Sequence, residues 1–317
     1  MLTTSEDLES ARVRIAASCV KTPVLRLSSP DVESPLWLKA ESLQRTGSFK
    51  LRGATNAIGL LDRARQIAGV VSHSSGNHGQ AVACAASAAG ISATVVMPET
   101  ASRRKIELTR GWGARVLLCP AEETVRHAQK LASETGATLV PPFDDAGVIA
   151  GQGTVGLELI AQVPDLAVVL VPVGGGGLVS GVAAAVKQHL RHVSVIAVEP
   201  ELASDLAEGF ATGVRSFWST DRTGRTIADG LRSAAVGELP WAHIRNYVDD
   251  VVTVSDDAIA EAMRRLAEDS KLVAEPSGAV ATAAWLEHSD RLPKGVTAAI
   301  VTGGNVDLDA FFAITRG

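Results

Sequence analysis

The chain has 317 residues, of which 46% are hydrophobic and 21% are charged. This composition is typical of a globular protein and excludes a disordered, collagen-like or coiled-coil chain. Thirty basic and 35 acidic residues give a net charge of −5, without the basic tract that marks a nucleic-acid-binding protein. The apolar runs are far shorter than the roughly 20 residues of a membrane helix. We expect two domains or one large unit that binds neither nucleic acid nor membrane.

The cysteines and the N-terminal residues both bear on the compartment. Cys19, Cys84 and Cys119 contain no CxxC pair and cannot all be bridged, which indicates a reducing compartment. Residues 1–9 are acidic and polar, without the basic-then-apolar order of a secretion signal. These features predict a cytoplasmic protein.

Short runs rich in valine and isoleucine alternate along the chain with longer stretches rich in alanine and leucine. The predicted strands are at 36–39, 69–72, 93–97, 115–119, 166–173, 194–198, 250–254 and 297–302. The predicted helices are at 81–89, 122–135, 178–190 and 256–271, the last with Ser255 as its N-cap. Strands separated by helices pair in parallel through right-handed crossovers. The pattern therefore predicts an α/β protein with doubly wound sheets.

Two strand–helix systems are visible, one over 69–143 and one from 144 onward, and the pair Pro141–Pro142 lies near the crossing point. We expect a large domain from residues 1–68 and 144–317 and a small domain from 69–143. Ligands of open α/β sheets bind at the carboxyl ends of strands. The segments that directly follow the predicted strands are therefore the candidate functional sites.

A run of four glycines, Gly174 to Gly177, follows one strand and opens a helix. Consecutive backbone amides and the positive end of the helix dipole suit a phosphate group. The alternative is a glycine-rich turn that close packing requires. The spacing matches neither the dinucleotide-binding GxGxxG motif nor the P-loop.

Lys50 lies in the tract TGSFKLRG, beside Phe49 and between glycines. A lone lysine is usually a solvated charge. A lysine that is partly desolvated near a phosphate site can instead act as an amine nucleophile that forms Schiff bases.

A polar loop, Ser72 to Gln80, follows the strand at 69–72 and contains two imidazoles and a carboxamide. Serine, asparagine and glycine are also ordinary turn and cap residues, but the carboxyl end of a strand favours a binding role. The segment TGGNVD, which begins at Thr302, follows the last strand and by itself is no more than a turn.

Four motifs together (TGSFKLRGA, SSGNHGQ, GGGGL and TGGNVD) occur in the order and approximate spacing of the pyridoxal-phosphate (PLP) enzymes of fold type II. Over residues 21–309 the chain resembles the serine/threonine dehydratase and serine racemase family. The resemblance implies two doubly wound open-sheet domains with PLP between them, a small amino-acid substrate and a homodimer.

The resemblance also implies a role for each cofactor-binding residue. Lys50 would hold PLP covalently and later act as the base at the substrate α-carbon. Phe49 would lie against the ring, and Asn77 would donate a hydrogen bond to its phenolic oxygen. Gly174, Gly175, Gly176 and Gly177 would bind the phosphate. Thr302 would meet the pyridine nitrogen, where the family more often has serine.

Further positions resemble substrate and cation sites of the family. Ser75 resembles the serine that faces the α-carbon opposite the lysine in the racemases, where many threonine dehydratases have alanine. The substrate-binding residues implied are Ser74, Ser75, Asn77, His78, Arg126 and Ser233. The residues implied for a divalent cation, magnesium or manganese, are Glu199, the carbonyl of Ala203, and Asp205.

The predicted function is a PLP-dependent dehydratase, or ammonia-lyase, that converts L-serine, L-threonine or a related β-hydroxy amino acid to the 2-oxo acid and ammonia. Serine racemase is the nearest alternative, because Ser75 would supply a second proton-transfer group. Arg126 allows a 3-hydroxyaspartate-like substrate, since guanidinium pairs well with a second carboxylate. A cysteine-forming β-replacement synthase and a cofactor-free binding protein are the remaining alternatives.

Overall fold

The computed structural model describes residues 1–27, 35–74 and 76–316. Within these ranges, ten strands form two sheets, one of six strands in the order β1-β2-β10-β7-β8-β9 and one of four in the order β5-β4-β3-β6. Helices connect most of the strands, and every pairing is parallel except that of β1 with β2. The predicted α/β fold with doubly wound parallel sheets is confirmed.

The strands of the six-stranded sheet are β1 (Val24–Leu27), β2 (Leu36–Ala40), β7 (Leu166–Pro172), β8 (Ser194–Pro200), β9 (Asp250–Val254) and β10 (Val296–Val301). Those of the four-stranded sheet are β3 (Val70–His73), β4 (Ala93–Pro98), β5 (Arg115–Cys119) and β6 (Thr138–Leu139). All eight predicted strands are present and end within two residues of their predicted limits. The prediction missed β1 and β6, which are four and two residues long.

Fourteen α-helices occur in the described ranges. They are α1 (Ser5–Ile15), α2 (Lys50–Gly59), α3 (Arg63–Ala68), α4 (Asn77–Ala88), α5 (Arg103–Gly111), α6 (Thr124–Thr135), α7 (Ala146–Gln162), α8 (Gly177–His189), α9 (Asp205–Thr212), α10 (Thr220–Thr223), α11 (Glu238–Tyr247), α12 (Asp256–Ser270), α13 (Pro276–His288) and α14 (Leu308–Thr315). The Ser255 hydroxyl caps α12 by accepting from the Ala258 amide at 3.1 Å, as predicted.

The six-stranded sheet is covered by apolar residues on both faces. Along β7, Val168 and Leu170 pack into one cluster with α12 and α13, while Val169 and Val171 pack into another with α7 and α8. Successive side chains of a strand point to opposite faces. A parallel strand buried on both faces therefore reads as a continuous apolar run, which explains why β7 was predicted correctly.

The carboxyl ends of three strands lead directly into the predicted motifs. The polar loop follows β3, the glycine turn (Gly174 to Gly177) follows β7, and Thr302 follows β10. Backbone hydrogen bonds join the segment before α2 to the loop after β10, because the Phe49 amide donates to the Thr302 carbonyl at 3.0 Å. The fold thus brings the segment before Lys50 beside the end of the large sheet.

The predicted division into domains remains a proposal. The four-stranded sheet lies between residues 70 and 139, inside the predicted small domain. However, Leu51, Ala54 and Ile58 of α2 pack in the same cluster as Val82 of α4, so apolar contacts cross the boundary at 68/69. Among the helices described, none combines the length and apolarity needed to cross a membrane.

Candidate active site

Lys50 is the first residue of α2, and its half-buried side chain points toward the loop before α7. Its ammonium group donates a hydrogen bond to the Pro142 carbonyl at 2.9 Å and lies 5.1 Å from the centre of the Phe49 ring. Burial lowers the pKa of Lys50 to about 8, although the negative charge of Glu275 opposes this shift. About one tenth of Lys50 is therefore neutral, and hence nucleophilic, at pH 7, far more than for an ordinary lysine.

The glycine turn lies next to the same loop. A Cβ at Gly175 would overlap the Phe143 ring, and one at Gly177 would lie 2.9 Å from the Phe143 Cβ. Gly176 has φ +87°, a left-handed conformation that favours glycine. Since Pro142 accepts from Lys50 and Phe143 contacts the turn, two consecutive residues link the amine to the candidate phosphate site.

Two further predicted residues lie at this end of the large sheet. A Cβ at Gly174 would be 3.4 Å from the Ser233 hydroxyl, so Ser233 is next to the glycine turn. Thr302 is buried and its hydroxyl donates to the Ser277 carbonyl at 3.2 Å. The Phe49–Thr302 backbone bond places Thr302 beside the lysine segment.

The polar loop contributes Ser74, Asn77 and His78. Ser74 accepts from the Gly76 amide at 3.1 Å, and the Asn77 amide nitrogen donates to the Glu275 carboxylate at 2.6 Å. His78 is buried, and burial together with the charge of Lys50 lowers its pKa to about 3. The imidazole is therefore neutral at physiological pH. Ser75, the predicted racemase-type residue, lies outside the described residues.

Glu275 belongs to a segment, Glu275 to Gly278, that resembles a family segment near the cofactor, but the sequence alone assigned it no role. It directly precedes α13, is buried, and burial, with a further contribution from Asp229, raises its pKa to about 8. Apart from that resemblance, the segment reads as an ordinary helix start with proline at the first position.

Glu199 and Asp205, the predicted cation ligands, are both buried at the end of β8 and the start of α9. Glu199 accepts from the Leu206 and Ala207 amides at 3.1 and 2.8 Å, and Asp205 accepts from the Val236 amide at 3.1 Å. Burial and the nearby Asp205 raise the pKa of Glu199, and burial raises that of Asp205 to about 6.

In the residues that the structure covers, neither carboxylate forms an ion pair with a basic side chain. A bound cation would therefore be their only positively charged partner among those residues. Ala203 lies between them in a 3₁₀ turn. No cluster of three or more histidine, cysteine or acidic side chains suited to a metal occurs in those residues. The divalent cation is therefore not shown.

Arg126 does not join the other predicted substrate residues. It is exposed on α6 and pairs with Glu123, one turn earlier, at 2.9 Å. An exposed arginine beside an acidic residue three positions away is a common arrangement on a helix surface. Its predicted contact with the substrate stays a prediction.

The remaining residues fit the cofactor that the resemblance implies. The glycine turn leaves no room for side chains, as a phosphate held by backbone amides requires. The His78 Nδ1 and Ser48 hydroxyl atoms are buried without a hydrogen-bond partner among the described residues, as expected of polar atoms beside a polar ligand. Lys50 supplies an amine for an aldehyde. All three observations suit a phosphorylated aldehyde.

We expect the reactivity of Lys50 to depend on pH in a way that separates it from exposed lysines. With a pKa of about 8, about one tenth of Lys50 is neutral at pH 7, compared with about one in 3,000 for an ordinary lysine. Only the neutral amine reacts, so modification by an amine-selective reagent should rise up to about pH 8 and then level off. Peptide mapping across a pH series measures this.

Lys130 is the matched control because it is exposed on α6. Its modification should not level off near pH 8 as that of Lys50 does. Parallel profiles for Lys50 and Lys130 would contradict the assigned environment of Lys50.

Comparison with known proteins adds independent evidence. The serine racemase of Oryza sativa subsp. indica is 42% identical over 312 residues, which are 95% of this chain and 91% of that protein. The catabolic L-threonine dehydratase of Staphylococcus aureus strain USA300 is 38% identical over 316 residues, 95% of this chain and 89% of that protein. The crystal structure of the threonine deaminase of T.th. superposes with a TM-score of 0.91 at 43% identity, covering 96% of this chain and 99% of that one.

The family model described as "Pyridoxal-phosphate dependent enzyme" matches residues 15–303, nearly the whole chain. That range includes three of the four motifs in full and the first two residues of the fourth, TGGNVD. The chain belongs to the family of pyridoxal-phosphate-dependent enzymes.

Proposed function

We propose that this enzyme is a dehydratase that converts L-serine, L-threonine or a related β-hydroxy amino acid to the 2-oxo acid and ammonia. The observation that carries the proposal is the path from Lys50 through Pro142 and Phe143 to the glycine turn. The identities of 38% to the threonine dehydratase and 43% to the threonine deaminase support the reaction type.

The roles proposed for the cofactor-binding residues are those that the family resemblance implies, and the closeness of these residues to one another supports them. The amides of Gly174 to Gly177 bind the cofactor phosphate, Phe49 packs on the ring, and Asn77 donates to its phenolic oxygen. Thr302 meets the pyridine nitrogen and can donate to it once its hydroxyl hydrogen turns away from the Ser277 carbonyl. When bound, pyridoxal phosphate supplies an aldehyde for amines and a conjugated ring that delocalises charge from the substrate α-carbon.

Lys50 is proposed as the base that removes the α-proton of the substrate. Its desolvated amine is suited to this because its pKa of about 8 lies near the working pH. The β-hydroxyl then leaves, and together with the removed α-proton it makes up the water that is lost. The unsaturated amine that is released takes up water and hydrolyses to the 2-oxo acid and ammonia. Ser74, Ser75, Asn77, His78 and Ser233 are the proposed substrate-binding residues. Ser74, Asn77 and His78 belong to the polar loop, and Ser233 lies beside the glycine turn. Ser75 lies outside the described residues.

Serine racemase is the second candidate, favoured by the 42% identity to the rice enzyme and by Ser75. Two proton-transfer groups on opposite faces of the α-carbon are what racemisation requires. The diacid alternative gains no support, because Arg126 is exposed and already paired with Glu123.

A substrate panel separates these candidates. The holoenzyme is incubated with L-serine, L-threonine and a 3-hydroxyaspartate, and the 2-oxo acid and the enantiomers are measured in the same tubes by chiral chromatography. The proposal expects pyruvate from serine and 2-oxobutanoate from threonine, faster than any D-serine. D-Serine that outpaces pyruvate would favour the racemase. In a parallel set of tubes with added sulfide, a product that depends on the sulfide would favour a β-replacement synthase.

The domain boundaries, the assembly and the compartment are also proposals. We propose domains of 1–68 with 144–317 and of 69–143, and a homodimer in the cytoplasm. The three free cysteines fit a reducing compartment. Light scattering on a size-exclusion column tests the dimer by its mass.

A magnesium or manganese ion is proposed at Glu199, the Ala203 carbonyl and Asp205. Magnesium should therefore raise the melting temperature, since a ligand at 100 times its Kd stabilises the folded state by about 2.7 kcal/mol. Differential scanning fluorimetry with and without magnesium measures the shift. Glu199→Gln should abolish it, whereas Glu201→Gln, at an exposed neighbour, should leave it intact. An equal shift in both variants would place the ion elsewhere.

A further inference from the structure

A chain of side-chain amides connects four segments around the candidate active site. The Asn305 amide nitrogen donates to the Thr46 carbonyl at 2.8 Å and to the Asn77 side-chain oxygen at 2.9 Å. The Asn77 amide nitrogen in turn donates to Glu275 at 2.6 Å. These residues come from the segment before α2, the start of α4, the start of α13 and the loop after β10.

The partners determine which end of each amide is nitrogen. A backbone carbonyl such as that of Thr46 can only accept, so the group of Asn305 that faces it must be the NH₂. The same NH₂ faces Asn77, so the group of Asn77 that it meets must be the oxygen. The Asn77 NH₂ therefore points the other way, toward Glu275, and retains a second hydrogen for another acceptor.

The surrounding backbone is shaped to hold Asn305 in this position. Gly47 has φ +72°, and a Cβ there would lie 2.8 Å from the Asn305 Cγ. A Cβ at Gly303 would lie 3.2 Å from the Asn77 amide nitrogen. The Gly304 amide also donates to the Gly47 carbonyl at 2.9 Å. Glycines at 47 and 303 thus leave the space that the two amides occupy.

We propose that Asn305 is a positioning residue that fixes the Asn77 amide with its NH₂ available to the phenolic oxygen of the cofactor. The inference rests on the proposed function, in which Asn77 meets that oxygen. Without Asn305, Asn77 could rotate its amide by 180° and present an oxygen to an oxygen, which repel each other. Asn305 itself need not touch the cofactor.

A double-mutant cycle on cofactor binding tests this. Apo protein is titrated with pyridoxal phosphate, and the Kd and the visible absorption spectrum are recorded for wild type, Asn77→Ala, Asn305→Asp, Asn305→Ala and the Asn77→Ala/Asn305→Ala double variant. Asn305→Asp keeps the shape but removes both donated hydrogen bonds. Asn305→Ala removes them without adding a charge, so one variant suffices if the other does not fold.

We expect each Asn305 variant to bind the cofactor about 10- to 150-fold more weakly. This is the loss typical of a hydrogen bond to a charged group, here the bond that Asn77 would donate to the phenolic oxygen of the cofactor. The double variant should match Asn77→Ala in both Kd and spectrum, because Asn305 acts through Asn77. Asn246→Asp is the matched control. Its exposed amide donates to the Ala242 carbonyl at 2.7 Å, on α11, and its loss should change neither readout.

Multiplicative losses in the double variant, or wild-type binding by both Asn305 variants, would overturn the inference while the proposed function stands. If the wild-type protein binds no pyridoxal phosphate, the proposed function and the inference both fail.

Discussion

Replacing Lys50 with alanine should lower the rate of L-serine deamination by a factor of about 10⁴ or more, since general acid–base catalysis alone contributes about 10²–10⁴. The variant loses both the amine that holds the cofactor and the base at the α-carbon. The Pro142 carbonyl loses its partner at the surface of the site, which is a minor effect on stability. Release of pyruvate, coupled to lactate dehydrogenase, measures the rate.

Two further variants make this result specific. Lys50→Arg keeps the positive charge but supplies no nucleophilic amine, so it should be as inactive as the alanine variant. Lys130→Ala removes an exposed lysine and should retain full activity. Deamination by Lys50→Ala at the wild-type rate would refute the assigned role.

Arg52→Ala should lower the free energy of unfolding by about 3–5 kcal/mol, the usual result of removing one partner from a buried ion pair. Arg52 is fully buried on α2, two residues after Lys50. It contacts the buried Glu41 at 2.8 Å and Glu158 at 2.7 Å. Its removal leaves the buried Glu41 carboxylate without its cationic hydrogen-bond partner, although the Thr22 hydroxyl still donates to it. Chemical denaturation followed by circular dichroism measures the change.

The exposed ion pairs of Arg264 with Glu261 and Glu268 on α12 provide the control. Arg264→Ala should cost about 0.2–1 kcal/mol, because solvent screens exposed pairs. Equal losses for the two variants would show that the buried cluster contributes no more than a surface pair. Since α2 carries Lys50 at its first position, we also expect Arg52→Ala to bind the cofactor more weakly.

Most of the fold was predictable because its strands are long and apolar. In β7 and β8 nearly every residue is buried, and such runs stand out against the helices between them. Ten of the fourteen helices in the described residues, α7 and α13 among them, were not predicted. The two strands that were missed are β1 and β6. Both are edge strands with partly exposed residues. β3 is as short as β1 but was predicted, because three of its four residues are buried.

Some residues of the candidate site could be predicted from local sequence, and others could not. Lys50, the glycine turn and the polar loop were predictable because each is local and follows a strand or opens a helix. Glu275 and Asn305 lie in segments that also resemble the family, but their roles were not predictable. Those roles depend on Asn77, which lies 198 and 228 residues away in the sequence. Burial and long-range pairing give these two residues their role, and no local pattern reports either property.

The most direct test of the proposed active site is to identify the lysine that binds the cofactor. The protein is loaded with pyridoxal phosphate and treated with borohydride, which makes a lysine–cofactor bond permanent, and its peptides are analysed by mass spectrometry. The account predicts the added pyridoxyl mass on the peptide that contains Lys50. Its presence on another lysine, or on none, would contradict it.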